Sequence, residues 1–565
     1  MSRCSGCCPI WLPNLVERIA SFLPSNDVAC ALILVDKSTA ALFRGRPQFS
    51  TVRLSQPVPP WAFARRWGAP GAVRSLSLDL RRKLLCLTAA SGIVANLDYA
   101  MDVVGFIPTA KDKTAVLNAA AASGQAEMCR LLLGRGYPPN RETLCAAAKG
   151  GHLEACQTLL DGGVWWDAWS AAGALAGGHT RTADWLLQRR PEGAIGPGDT
   201  LQCLGSMVCK ALLVAAAKGC DYGVLRSLYQ RCTGDQPGAA EALRWLSTPH
   251  HWIPALPDLI TAAVSSTTPD WRAKVEWLEA LGAQLPSLLS SDAARMHSSV
   301  RCREAARLPS DADALERLRW LRSRGCSATA DAVTAAAVAG NMATLEYLLT
   351  EGGIEGDLKE DMLHAVAEVA SAGRLHALLR LESYGCRMHL YYLLKAAAEE
   401  GHLQVLEWSV EALSAHARDP DFLAAAAWRG HMHVLEWLAA RGCPGSPEAF
   451  AAAAGGGCEE AVEWLAENGC PMGDDGEPYS CAAKNHDLAT LRCLARAHCP
   501  WGPTGKVFTH CVAVRLPLAV LRCMAEECRC PLDVRAALRR LAKKSDGGDA
   551  DVRAWLQEWE RRRGQ

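Results

Sequence analysis

Arg429–Pro444 reads RGHMHVLEWLAARGCP, and Gly456–Pro471 repeats the pattern as GGCEEAVEWLAENGCP. Each stretch has a Gly-centred turn, an apolar helix written VLEWL or AVEWL, and a Gly-Cys-Pro stop. From Gly430, the residues Met432, Val434, Leu435, Trp437 and Leu438 fall on one helical face, which predicts a helix with a buried side. Gly442 supplies the left-handed conformation that ends a helix, and Pro444 keeps the helix from resuming. Alanine runs, Ala424–Ala427 and Ala451–Ala454, precede the two stretches. Such small side chains let a first helix approach its neighbours closely. The unit is helix–turn–helix, and Trp437 and Leu438 belong to its framework rather than to a site.

The unit recurs outward from there. Anchor glycines fall every 27 residues at Gly124, Gly151 and Gly178, and every 27 to 29 at Gly373, Gly401, Gly430 and Gly457. Gly340 belongs to the series, and Asn485 and Arg515 hold the same place without being glycine. Between 233 and 310 the pattern weakens: Pro249, Pro254, Pro257, Pro269 and Pro286 interrupt it, and Ala273–Gly282 and Leu315–Gly325 preserve only second helices. A chain of 565 residues is too long for one core, and its 27-residue period predicts a stacked helical array.

Composition narrows the function. Lysine plus arginine (60) equal aspartate plus glutamate (60), which removes the basic footprint of a general nucleic-acid binder. No apolar run reaches membrane-spanning length and no apolar leader opens the chain, so no membrane partner is expected. The 25 cysteines fall short of a disulfide-scaffold density, and Cys326, Cys386, Cys443, Cys470 and Cys499 all close second helices. Free thiols in a reducing compartment, cytoplasm or nucleus, are the expectation. Cys4-x-x-Cys7-Cys8 lacks a second pair at zinc-finger spacing. His431 with His433 and His250 with His251 are the only close histidine pairs, and phosphate-loop, dinucleotide and hydrolase motifs are missing. No catalytic, cofactor-binding or metal-ligating residue is predicted, no cofactor is expected, and the chain is read as a non-enzyme.

Thr143–His152, TLCAAAKGGH, is followed by an apolar helix and resembles an ankyrin repeat: a helix-opening Thr, an alanine pair, a Gly-His turn and a Leu-Leu-x-x-Gly end. The family's Pro and His at the helix start are replaced by Leu144 and Cys145, and the period is several residues short of the roughly 33 expected. The resemblance implies reduced loops and a concave surface that holds a client protein. Binding positions would lie ahead of each first helix, where Trp165, Trp166 and Trp169 are the most conspicuous. Exposed, they would form a hot spot; packed inward, any one of them would be structural.

Residues 10–45 read as three short helices. Pro13 suits a first helical position, Leu15, Ile19, Phe22 and Leu23 form a stripe, and Ser25, Asn26 and Asp27 are candidate caps. The segment resembles an F-box through Leu12-Pro13, Leu15, Ile19, Phe22-Leu23, Asp27-Val28, Leu34-Val35 and Lys37, with Phe43 where an aromatic residue usually stands sooner. That resemblance implies docking on a Skp-family adaptor through Leu12, Pro13, Leu15, Ile19, Phe22, Leu23, Asp27, Val28 and Val35, within a cullin–RING ubiquitin ligase. Read without it, the three helices cap an ankyrin-type scaffold.

The expected fold is therefore all-α: an ankyrin-like helical-repeat solenoid with a small N-terminal F-box-like segment. Its expected parts are a disordered 1–9, the F-box-like 10–47, a connector over 48–113 with a short strand at Phe49–Leu54, the array over 114–542, and a linker with capping helix over 543–565.

Overall fold

The computed structural model describes residues 12–189, 201, 206–233, 255–282, 291–351, 353–354, 356, 358–414, 416–542 and 550–563. The expected disordered end and its cysteines, His250 with His251, and the 543–549 link lie outside them. The chain is an all-α helical-repeat protein. Among the described residues there is no β-strand, only an isolated bridge between Ala328 and Ile354. Two compact units divide it, one of Met1–Arg74 with Asp79–Trp165, the other of Ser75–Leu78 with Trp166–Gln565.

In the first unit the N-terminal helices Pro13–Phe22, Ser25–Cys30 and Lys37–Phe43 close on a small core of Val16, Ala20, Val28, Leu32 and Phe43. Phe49 meets Phe43 edge to face at 5.2 Å. The Pro13–Phe22 helix carries two apolar rows and buries Val16 and Ala20, leaving Leu15 and Phe22 in solvent. Asn26 does not cap the next helix. Fully buried, its amide nitrogen donates to the carbonyls of Arg53 (2.8 Å) and Pro57 (2.9 Å), and its oxygen accepts from Arg53 N–H at 2.9 Å. The 53–57 backbone thus finds its partners in a side chain, not a neighbouring strand. The strand expected at Phe49–Leu54 is accordingly not formed, and Pro47–Ser50 is a helical turn begun by proline. Helices Leu78–Ala90 and Val94–Val103 follow one another through a turn at left-handed Gly92, so the helix–turn–helix order begins upstream of 114.

In the second unit each first helix lies on the next: Ala168–Ala176, Ser206–Gly219, Ala255–Val264, Ser291–Ala306, Ala330–Ala339 and onward to Val534–Ala542. First helices therefore do exist between 233 and 310, at Ala255–Val264 and Ser291–Ala306. Of the described prolines, Pro257 lies in the first turn of the former helix and Pro269 follows its end.

One device recurs at several junctions. The carbonyls left unpaired at the end of a first helix are taken by a donor from the turn of the following repeat. His152 Nε2 lies 3.1 Å from Ala122 O and His402 Nε2 2.9 Å from Ser371 O; a carbonyl only accepts, so each ring nitrogen donates. Asn341 donates to Ala306 O at 2.8 Å, Asn485 to Gly455 O at 2.9 Å and Arg374 to Val338 O at 3.1 Å. The anchor glycine serves this bond twice. Gly373 is left-handed (φ 66), and a Cβ there would lie 2.6 Å from the His402 ring. Where glycine is missing, His486 (φ 57) and Arg515 (φ 60) hold the left-handed place. The anchor is thus His486, one residue after the Asn485 expected.

Candidate ligand groove

Along Ser206–Gly219, Cys209, Leu212, Leu213 and Ala216 are buried against neighbouring helices. Met207, Lys210, Ala211, Val214 and Lys218, three or four residues apart, face the other way. Asp258, Thr261, Ala262 and Ser265 of the next first helix and Val300, Arg303 and Glu304 of the one after present the same face. With Trp169 they enclose a hollow of 610 Å³. Its floor is small and apolar, because alanine and valine at these places let the helices pack closely.

Charge of both signs rims the floor. Lys210 Nζ pairs with Asp258 at 2.6 Å, and Arg303 with Glu304 at 3.4 Å. Thr261 donates to Pro257 O at 2.8 Å and Ser265 to Ala262 O at 3.1 Å, so both hydroxyls bond back to their own helix. His297, on the helix of Val300, is held below the ordinary histidine value by burial first and by Arg301, with Asp258 opposing. It is neutral near pH 7. Further along, the same helix face bears a second hollow of 580 Å³, lined by Lys484, Lys506, His510 and Arg540 beside Asp475, Glu477 and Asp533.

Of the predicted tryptophans, only Trp169 lines the groove, 36% exposed. Trp166 is structural: its Nε1 donates to Leu186 O at 2.9 Å, at the end of the Thr180–Gln188 helix. Trp165 is 85% exposed. The three do not form one hot spot. In the N-terminal segment Leu12, Pro13, Leu15, Phe22, Leu23 and Val35 are exposed, Ile19 and Asp27 half-buried. Val28 is a core residue with no exposed surface, so it cannot be the interface residue expected of it.

Sequence reasoning missed the groove residues. A signal existed in Val214–Gly219, VAAAKG, which repeats Cys145–Gly150, CAAAKG, and marks a first helix where the glycine ladder lapses. Histidines 431 and 433 are junction residues: His433 Nε2 lies 2.9 Å from Gly401 O, and His431 is half-buried. Among the described residues no group of three His, Cys, Asp or Glu is placed to hold a metal ion, and no helix is long and apolar enough to cross a membrane.

No known family profile matches the sequence, and no curated protein does. Solved structures that match include the pentatricopeptide repeat protein PPR10 from maize, at 13% identity over 97% of both chains with TM-score 0.22. PPR10 in complex with an 18-nt psaJ RNA element matches at 12% identity over 97% of this chain and 88% of that one, with TM-score 0.23. These findings correct the sequence reading. No family profile supports the ankyrin or F-box resemblance, and the matched structures are pentatricopeptide repeat proteins; those two assignments are withdrawn. With them go the Skp-family partner, the ubiquitin-ligase role and the ankyrin-scaffold alternative. The exclusion of nucleic acid is withdrawn too; the RNA in one matched structure is that protein's own ligand. At such TM-scores the likeness says nothing of what this chain itself binds.

Proposed function

We propose that this chain acts by binding rather than by catalysis, holding an elongated ligand along the face formed by its first helices. The observation that carries the reading is the groove between Trp169 and Glu304, an apolar floor edged by Lys210, Lys218 and Arg303 on one hand and Asp258 and Glu304 on the other. Such a surface suits a ligand with apolar groups next to charges of both signs, and apolar burial supplies most of the affinity. The described cysteines form no disulfide, which supports a reducing setting, cytoplasm or nucleus.

The test is fluorescence anisotropy with a labelled mixed-sequence peptide pool and a labelled random single-stranded RNA pool, against wild type and Ala211→Trp. The indole at 211 fills the groove without touching the buried face of its helix. Wild type is expected to bind at least one pool and the variant to lose that binding while keeping its helical circular dichroism. Equal binding by the filled variant, or no binding by a folded wild type, would sink the proposal.

A further inference from the structure

The last second-helix unit, Leu518–Pro531 (LAVLRCMAEECRCP), is one residue longer than its predecessor, Leu488–Pro500 (LATLRCLARAHCP). Cys523 aligns with Cys493, Met524 with Leu494, Arg529 with His498 and Cys530 with Cys499. His498 and Arg529 are both left-handed, each with φ 55. In the earlier unit the N–H of Cys499 donates to Leu494 O at 3.1 Å; in the last, the N–H of Cys530 donates to Met524 O at 2.9 Å. The same closing bond thus spans one more residue.

The extra residue is absorbed as a π turn over Cys523–Glu527, closed by Cys528 N–H donating to Cys523 O at 2.9 Å. In an α-helix, side chains three and four apart are neighbours. Bonding from i to i+5 transfers that relation to residues five apart, and such turns recur at functional sites. Cys528 therefore comes to face Cys523, with 4.0 Å between the sulfurs. Its places in the preceding repeats hold Ala497, Asn468 and Arg441, so Cys528 is not one of the helix-closing cysteines. Those are structural: Cys443 donates its thiol to Asp419 O at 3.2 Å and Cys470 to Ser446 O at 3.4 Å.

Cys528 also lines a hollow of 650 Å³ with Arg492, Glu527 and Trp501. The Glu527 carboxylate raises the cost of a thiolate at either cysteine, and the Arg492 guanidinium, 2.6 Å from it, offsets that in part. The thiol hydrogen bond from Cys528 holds Cys523 below the usual thiol value, and the same bond raises Cys528.

We propose that Cys523 and Cys528 are a redox-active dithiol, closed to an intrahelical disulfide by a small disulfide of the glutathione class. Cys528, at the wall of the hollow, passes its proton to the Cys523 thiolate it faces and, as the thiolate so formed, attacks one sulfur of glutathione disulfide. That S–S bond breaks, and the first glutathione leaves, taking up the proton first released from Cys523. The Cys523 thiolate then attacks the Cys528 sulfur and displaces the second glutathione, which takes up the proton Cys528 had passed on. Two protein thiols are oxidised and one glutathione disulfide is reduced. The sulfurs must close to about 2.05 Å, with the α-carbons already on adjacent turns.

The full chain is incubated natively with excess oxidised glutathione, alkylated with iodoacetamide, unfolded and digested with trypsin. Cleavage after Arg522 and Arg529 isolates both thiols in one peptide, Cys523–Arg529. The expected product is that peptide unalkylated and two hydrogens lighter, reverting on addition of dithiothreitol. In Cys528→Ser, checked for native circular dichroism, the internal disulfide is lost. A Cys523–Arg529 peptide without the disulfide in folded, oxidised wild type would overturn the proposal. So would Cys528 joined to Cys530 instead.

Discussion

Two stretches of the array solve one problem with different chemistry. Between Leu358 and Arg429, histidine rings and glycines join the repeats: His402 reaches Ser371 O, and Gly373 makes room for it. At Ser206–Gly282 the same helix-end carbonyls meet a lysine. Lys274 is fully buried; its ammonium donates to Ala217 O (3.2 Å), Ser266 Oγ (2.8 Å), Thr268 Oγ1 (2.6 Å) and Cys220 O, and pairs with Asp270 at 3.4 Å. Burial pulls its proton affinity down, and Asp270 opposes. A long cation spans a gap that a short ring cannot. The 206–306 repeats, joined in part by this cation, are also the ones whose outer face opens into the apolar groove. Irregularity in the repeat thus coincides with the site, while the regular stretch is framework.

The sharpest way to break this comparison is Lys274→Met. Losing the ammonium strips several buried oxygens of their donor and leaves Asp270 without its ion partner, so the urea transition should lose about 3–5 kcal/mol. A loss below about 1 kcal/mol would mean that water or a rotated side chain replaces the ammonium, and the two junctions would be equivalent. His402→Ala removes one hydrogen bond and should cost only about 1 kcal/mol in the same assay. Should the histidine variant prove the more damaging, the contrast would be reversed.

Acid should sharpen the comparison further, with the smallest effect. His431 is held below the ordinary histidine value by burial first and by His433, with Arg429 acting the same way and Glu399 O and Glu400 opposing. The unfolded chain therefore binds this proton more readily than the folded one. Stability falls as pH drops below the unfolded value of about 6.5, and the loss levels off below the folded value. The urea midpoint should decline between about pH 7.5 and 5.5. In His431→Gln that decline should be smaller; an unchanged decline would remove His431 from the account.

Much of the fold was legible in particular residues. VLEWL and AVEWL with their glycine stops specify short amphipathic helices, and the glycine ladder specifies their repetition. Gly124, Gly151, Gly430 and Gly457 are all left-handed as required, because only glycine takes that conformation without cost. The groove was not legible. Met207, Ala211 and Val214 are as apolar as Leu212, Leu213 and Ala216, so periodicity separates the two faces without saying which is covered. The N-terminal helix poses the same ambiguity with its Leu15–Phe22 and Val16–Ala20 rows.

The sequence by itself determined the local units, their period and their stops, since these depend on backbone preferences and helical spacing within a few residues. Only the tertiary structure decided which apolar row is buried, that Lys274 rather than a histidine fills one junction, and that one added residue brings Cys528 onto Cys523. The first two depend on what a distant segment places opposite the side chain, and the third on which helical turn absorbs the added residue. Burial and pairing are properties of that meeting, not of either segment alone.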